Sequence, residues 1–269
     1  MSAVDWRDVT DGEFAVLGDP IGHSLSPRMH RAAYQYLELD LVYQAVRVPV
    51  GEFGMAMEAL RDMGYLGVNV TVPHKEAAFE WCEHVEGGAW RFGSVNTIRL
   101  VDRVGINTDV PAFLKVLADN GIVPGQRVLI LGAGGSARAL IAACTDAGYL
   151  VGAWNRTRSR LEGMVEELGV EVEILDLANV DSFQAVVNAT SASLGDLELP
   201  IEWSNSPKGG FAFDLAYGKE PSPFLRAATL NGWRNSDGLP MLVEQGALAF
   251  EWWLGKEAPR EAMLRSVGL

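Results

Sequence analysis

Short β-branched runs alternate with segments of helical period along almost the whole chain, and this order restricts the fold more than any single motif. Phe14-Ala-Val-Leu17 reads as a buried strand, and a helix is expected from about Pro27, a residue suited to a first turn. Met29, Ala32, Ala33, Tyr36 and Leu37 then share one helical face. Residues 41–48 read as a second strand, 52–63 as a helix, and 67–72 as a third strand stopped by Pro73. Residues 74–85 alternate acids with Ala, Phe and Trp, which predicts an amphipathic helix containing Cys82. Two β-rich runs within 94–107 flank Asp102-Arg103 and suggest a hairpin, followed by a helix over 109–120 that Gly121 ends.

A second series opens on Arg127-Val-Leu-Ile-Leu131. Helices are expected over 137–147 and 157–168, with strands at 150–154, 172–175, 185–188 and 211–215. From Pro240 the pattern is helical again. Met241, Leu242, Leu248, Ala249, Phe250, Trp252 and Trp253 cover nearly its whole circumference, so this helix should be buried on several sides. Repeated β–α units imply parallel sheets covered by helices, hence an α/β protein. A boundary between two α/β domains is expected near Thr108.

With 269 residues and 48% hydrophobic content, the chain can bury one full core or two smaller ones. Its net charge of −13 argues against nucleic acid or an anionic membrane as a partner, since both reward cationic surfaces. A phosphate-bearing cofactor would therefore need local positive charge. Cys82 and Cys144 show no CxxC pairing and read as reduced thiols. The first residues lack an apolar leader pattern, and no apolar run approaches the ~20 residues of a membrane span. A cytoplasmic protein is expected. His23, His30, His74 and His84 lack metal-ligand spacing, so no metal is expected.

The turn Gly132-Ala133-Gly134-Gly135-Ser136-Ala137 follows a buried strand and opens an Ala-rich helix, which is the setting a dinucleotide fingerprint requires. Gly132 permits the tight turn, Gly134 lets the backbone approach a pyrophosphate, and Ala137 is the small third residue. The helix start adds free N–H groups and its dipole. An NAD site usually carries an acid about 20 residues on. Here the chain reads Asn155-Arg156-Thr157-Arg158-Ser159-Arg160, arginines suited to a 2′-phosphate. NADP is the expected cofactor.

Polar residues cluster at strand ends in the first series. Ser24 and Ser26 flank a helix entrance, where they can bind a carboxylate or simply cap the helix. Thr71 and Lys75 follow the third strand, Asn96 lies in Ser94-Val-Asn-Thr97, and Asp109 starts a helix and taken alone reads as an N-cap. A lysine with an acid partner suits proton transfer, and beside a dinucleotide turn the pair points to an oxidoreductase.

Gly18-Asp-Pro-Ile-Gly-His-Ser-Leu-Ser-Pro27, Asn69-Val-Thr-Val-Pro-His-Lys75, Ser94-Val-Asn-Thr97, Asn107-Thr-Asp109, Gly132-Ala-Gly-Gly135, Asn155-Arg-Thr157, Asn188-Ala-Thr-Ser191 and Asp237-Gly-Leu-Pro-Met-Leu242 stand in the order and spacing of a known family. Over almost its full length the chain resembles the shikimate dehydrogenases. The resemblance implies an N-terminal substrate domain with a mostly parallel sheet, residues 1–108 completed by C-terminal helices at 239–269. It implies a Rossmann-type NADP-binding domain over 109–238. The implied reaction is reversible NADPH-dependent reduction of 3-dehydroshikimate to shikimate.

By the same resemblance, Ser24 and Ser26 hold the substrate carboxylate with Thr71 and Tyr217. Lys75, Asn96, Asp109 and Gln245 contact the ring hydroxyls, and Lys75 with Asp109 forms the acid–base pair. Gly132–Ala137, Asn155, Arg156, Thr157 and Arg160 hold the cofactor, with Leu215 and Gly238 near the nicotinamide. The family needs no metal, and monomer or homodimer remains open. Two departures stand out. Val110-Pro-Ala112 follows the acid where many members carry a glycine, and Glu220-Pro-Ser-Pro-Phe224 replaces the commoner Thr-Pro run. A broader quinate/shikimate dehydrogenase and a non-catalytic ligand sensor remain as alternatives. The intact Lys75 and Asp109 count against the sensor.

Overall fold

A computed structural model describes residues 3–195, 197–203 and 209–269. The chain divides into two compact units, one running through Ala112 and resumed at Leu242–Leu269, the other Phe113–Met241. Both divisions fall three or four residues beyond the expected ones, inside helices Asp109–Asp119 and Leu239–Leu254.

The first unit carries strands β1 (Val4–Asp5), β2 (Phe14–Gly18), β3 (Tyr43–Arg47), β4 (Gly67–Val70), β5 (His84–Val85), β6 (Thr97–Arg99) and β7 (Val104–Ile106). Its helices are α1 (Ser26–Tyr36), α2 (Phe53–Asp62), α3 (Lys75–Trp81), α4 (Ala89–Phe92) and the start of α5 (Asp109–Asp119). The sheet order is β1-β3-β2-β4-β6-β7-β5. The strands from β1 to β4 pair in parallel, whereas β6 and β7 form the expected hairpin and enter antiparallel.

One expectation fails here. Residues 74–85 are helical only over Lys75–Trp81, because Cys82 turns extended (φ −69, ψ 137) and His84–Val85 pair with Val104–Gly105. The acid–apolar alternation fits a strand as well as a helix, and the open edge of β7 takes the strand. Cys82 thus ends the helix and is half-buried, while Cys144 is buried; burial pushes both thiols up to about 12.

Strand periodicity divides the core between two faces. Ala15 and Leu17 of β2 face a cluster with Phe53, Ala56, Met57 and Leu60 of α2. Phe14 and Val16 point the other way, toward Met29 and Ala33 of α1 and toward the C-terminal helices. Those helices supply Val243, Ala247, Phe250 and Met263 to that face. Trp253 stacks on Phe14 (4.7 Å between ring centroids) and donates to the Ile98 carbonyl (3.1 Å). The all-round apolar helix after Pro240 is therefore buried as expected, and the C-terminal helices belong to the first unit.

The second unit carries β8 (Arg127–Leu131), β9 (Leu150–Trp154), β10 (Glu173–Ile174), β11 (Ala178–Asn179), β12 (Ala185–Asn188), β13 (Ile201–Glu202), β14 (Phe211–Asp214) and β15 (Arg234–Ser236). Helices α6 (Gly135–Asp146), α7 (Arg158–Leu168) and α8 (Pro223–Leu230) follow, and α9 (Leu239–Leu254) and α10 (Arg260–Val267) close the chain. The main sheet is wholly parallel, ordered β10-β9-β8-β12-β14-β15. Chain order reverses between β8 and β12, which creates the crevice of a doubly wound sheet.

His30 lies wholly inside the first unit, its ring stacked on Tyr43 at 4.2 Å between centroids. Neither ring nitrogen finds a hydrogen-bond partner among the described residues, and burial pushes its pKa from 6.5 down to about 3. The unfolded chain therefore binds a proton that the folded chain refuses between these values. Stability is full above the unfolded pKa and is lost as pH falls toward the folded one. In urea titrations from pH 7 to pH 4, His30→Phe should lose less stability than wild type, by about 1.4 kcal/mol per pH unit. Parallel stability curves for the two proteins would remove His30 as the source.

Candidate active site

Strand register gathers the polar residues of the first unit at one edge of its sheet. β2 and β4 run in parallel, so the entrance of α1 and the turn before α3 leave from the same end. The antiparallel pairs Asn69↔Thr97 and Thr97↔Ile106 bring the start of β6 and the end of β7 to that end too. Asn96 closes the ladder, accepting from Val70 N (2.8 Å) and donating its own N–H to Ile106 O (3.1 Å). Ser24, Ser26, Thr71, Lys75, Asn96 and Asp109 thus all sit at strand ends on this edge, where open α/β sheets bind ligands.

Lys75 is the first residue of α3, where an ammonium opposes the helix dipole. The Asp109 carboxylate offsets this: Lys75 Nζ lies 2.5 Å from Asp109 Oδ2, and the side chains keep 27% and 21% of their exposure. The pair is desolvated enough to be strong and open enough to meet a ligand. His74 anchors the turn before the lysine. Its buried ring donates from Nε2 to Val48 O at 2.6 Å and stacks on Phe53. No side chain caps α3.

At the start of α5 the structure departs from the expected cap. Asn107, rather than Asp109, accepts from Asp109 N (3.0 Å) and Val110 N (3.2 Å), and its amide donates to Ser94 O. Asn96 is 2% exposed; its Oδ1 accepts from Thr108 N (2.8 Å), and its Nδ2 donates to Thr108 Oγ1 (3.1 Å). A further chain runs beneath: Tyr43 OH donates to Asn69 Oδ1 (2.6 Å), and Asn69 Nδ2 to Thr97 Oγ1 (2.9 Å). Thr97 Oγ1 in turn donates to Asn96 Oδ1. Tyr43 is not among the residues that sequence reasoning singles out, and Asn69 and Asn107 stand there only as members of motifs, with no role assigned. The one available signal is an Asx residue just ahead of a helix, and within Asn107-Thr-Asp109 it points to either end.

Ser24 is half-buried and its Oγ accepts from Ser26 N (3.3 Å), a local turn rather than a helix cap; Ser26 itself is buried. Thr71 is half-buried, with its N–H on Leu17 O. Gln245, on α9, is buried and donates Nε2 to Leu242 O (2.7 Å). Tyr217 belongs to the second unit, as do the residues expected to hold a cofactor.

In that unit the β8–α6 turn fits a dinucleotide. Gly132 takes φ +125, and a Cβ there would stand 3.1 Å from Ala189 O, across the crevice on the segment after β12. Gly134 precedes α6 with no side-chain cap, and a Cβ at Gly134 or Gly135 would meet nothing within 4 Å. The first-turn N–H groups therefore face open space, as pyrophosphate binding needs. Ala133 and Ala137 are buried, and Ser136 is exposed. After β9, Asn155 Nδ2 donates to Thr157 O (2.9 Å). Arg158 is consumed by Glu162 (2.7 Å) and Asp176, whereas the exposed Arg156 and Arg160 pair with no acid among the described residues. Two of the three arginines, not three, remain for a phosphate.

Leu215 and Gly238 come together. Gly238 N donates to Ala216 O (3.1 Å), and any Cβ at Gly238 would strike Leu215 O. The wholly buried Asp214 holds this loop, accepting from Ala216 N (3.1 Å), Ser193 Oγ (2.5 Å) and Ser222 Oγ (2.6 Å). Ser222 also caps α8 through Leu225 N (3.3 Å). The serine of Glu220-Pro-Ser-Pro-Phe224 thus provides a hydroxyl as the commoner threonine would. Among the described residues no three His, Cys, Asp or Glu side chains cluster as a metal site requires.

Two family models match the chain: the shikimate dehydrogenase substrate binding domain over residues 16–98, and the shikimate 5'-dehydrogenase C-terminal domain over 238–267. The shikimate dehydrogenase (NADP(+)) of Hyphomonas neptunium is 42% identical over 89% of this chain and 90% of its own. That of a Thermus thermophilus strain is 40% identical over 95% and 99%. The solved shikimate 5-dehydrogenase of the same Thermus strain, in complex with NADP(H) and shikimate, superposes with a TM-score of 0.86 at 38% identity, covering 95% of this chain and 98% of its own.

Proposed function

The chain belongs to the shikimate dehydrogenase family, and from that membership we propose that it interconverts shikimate and 3-dehydroshikimate with NADP, with Lys75 and Asp109 handling the proton. The reaction lies on the route to chorismate and the aromatic amino acids. The first unit, completed by the C-terminal helices, serves the substrate and the second serves the cofactor. The protein works in the cytoplasm as a monomer or homodimer, and no helix among the described residues is long and apolar enough to cross a membrane.

The observation that carries this reading is the 2.5 Å Lys75–Asp109 pair at the strand-end edge. When bound, NADP supplies the hydride acceptor and NADPH the donor. In the oxidising direction the Lys75–Asp109 pair takes the hydroxyl proton as the hydride leaves the same carbon; in reduction the pair returns the proton and the ammonium stabilises developing alkoxide. Asp109 orients the ammonium and accepts from the same hydroxyl. Ser24, Ser26, Thr71 and Tyr217 take the substrate carboxylate, and Asn96 and Gln245 the remaining ring hydroxyls. The uncapped α6 start over Gly132–Ala137 would hold the pyrophosphate, Asn155 and Thr157 would join in holding the cofactor, and Arg156 with Arg160 would hold the 2′-phosphate. Leu215 and Gly238 would lie near the nicotinamide.

Initial rates with shikimate and quinate, each on NADP and NAD, test the assignment; shikimate with NADP should exceed every other combination, and a preference for quinate or NAD would reject it. Lys75→Ala should lower kcat by about 10²–10⁴-fold with a modest change in shikimate KM. An unchanged kcat removes the lysine from the mechanism. The double substitution Arg156→Ala, Arg160→Ala should raise KM for NADP by about tenfold or more and leave that for NAD nearly unchanged. An equal effect on both cofactors would detach these arginines from the 2′-phosphate.

A further inference from the structure

We propose that Asn107 is a positioning residue, which takes over the capping of α5 so that the Asp109 carboxylate stays on Lys75. The inference rests on the acid–base reading above and adds to it the means by which the acid is kept available. The first N–H groups of any helix lack internal acceptors. An aspartate in the first turn is among the side chains best able to satisfy them, and the helix dipole draws it there. A carboxylate spent in that way cannot also orient an ammonium.

Two neutral amides remove this competition at three successive residues. Asn96 Oδ1 accepts from Thr108 N at 2.8 Å, and Asn107 Oδ1 accepts from Asp109 N at 3.0 Å and from Val110 N at 3.2 Å. The first intrahelical bond, Ala112 N to Thr108 O (3.3 Å), then begins the regular ladder. Asn107 is buried at 6% exposure, and its Nδ2 donates to Ser94 O at 3.0 Å, which fixes the amide with its oxygen toward the helix. Asp109 is left with Lys75 Nζ at 2.5 Å. Asn107 touches neither the lysine nor the reacting oxygen in this scheme; it acts only through Asp109.

The test combines Asn107→Ala and Asn107→Ser with an Asp109→Asn background, using shikimate oxidation on NADP. Asn107→Ala should lower kcat by about tenfold or more with shikimate KM changed by less than about threefold. In the Asp109→Asn background the same substitution should cost less than about twofold, because its route of action is already gone. Asn107→Ser keeps an acceptor oxygen and should stay within about threefold of wild type, a result that decides the matter even if the alanine variant does not fold.

Equal losses in both backgrounds, an alanine variant with wild-type kcat, or a serine variant as impaired as alanine would each overturn the proposal. A crystal structure of Asn107→Ala gives a readout independent of turnover. The Asp109 carboxylate should have left Lys75 for the N–H groups of its own helix, and an unmoved carboxylate overturns the proposal. If that displacement is found while the wild type fails to oxidise shikimate, the fault lies with the reaction and not with the cap.

Discussion

An ammonium at the head of one helix and a carboxylate in the first turn of another, 2.5 Å apart, form the contact on which the proposed proton transfer depends. Neither helix start is a favourable place for the lysine, and neither side chain alone would hold its position in water, where an exposed pair gains little. The pair is held from below by the register of β4, β6 and β7. Asn69 faces Thr97 and Thr97 faces Ile106, and a slip of one residue would turn Asn69 and Thr97 to the other face and break the chain from Tyr43 to Thr108. The antiparallel hairpin, which breaks the parallel rule of this sheet, is therefore what returns the chain to the working edge in time for Asp109.

The second unit meets the opposite electrostatic demand. A chain of net charge −13 repels phosphates at long range, so attraction has to be local and unshared. The proposed sources are the uncapped α6 start and Arg156 and Arg160, which pair with no acid among the described residues. Arg158, placed between these two in sequence, is instead paired with Glu162 and Asp176, the first an i,i+4 pair within α7.

What can be read from sequence divides along the range of the interactions involved. Strands such as Phe14–Gly18 and Arg127–Leu131 and helices such as α2 and α6 follow from local periodicity, so their bounds fall within a residue or two of expectation. The Gly132 turn is legible because its conformational demand is written in consecutive residues, and the roles proposed for Lys75 and Asp109 rest on motifs of the same local kind. Residues 74–85 defeat the helical expectation because alternation of acid and apolar residues does not say whether a sheet edge lies nearby, and here β7 supplies one. The bonding roles of Tyr43, Asn69 and Asn107 are invisible for a related reason. Each is an ordinary polar residue until register brings it to a partner 13 to 28 positions away. Ser222 shows the converse: a departure in the motif disappears once its hydroxyl is seen on Asp214 and Leu225 N.

The choice of asparagine beneath the site, at 69, 96 and 107, follows from what the charged Lys75–Asp109 pair can tolerate. Each of these positions needs an acceptor for an N–H or O–H and a donor for a carbonyl or hydroxyl, both out of water. An amide provides both without charge. Aspartate would satisfy the acceptor half, but it would lose the donor bonds to Asn96 O, Thr108 Oγ1 and Ser94 O. It would also bury an unpaired anion beneath the site, and at 107 that anion would repel Asp109 and compete for the Lys75 ammonium. Alanine would leave both N–H groups and carbonyls unpaired in a buried place, at a cost of about 1–3 kcal/mol each, and serine would keep an acceptor for the N–H groups without reaching the carbonyl on the far side. A neutral, two-sided hydrogen-bonding layer is thus the arrangement that supports a single charged pair without diluting it.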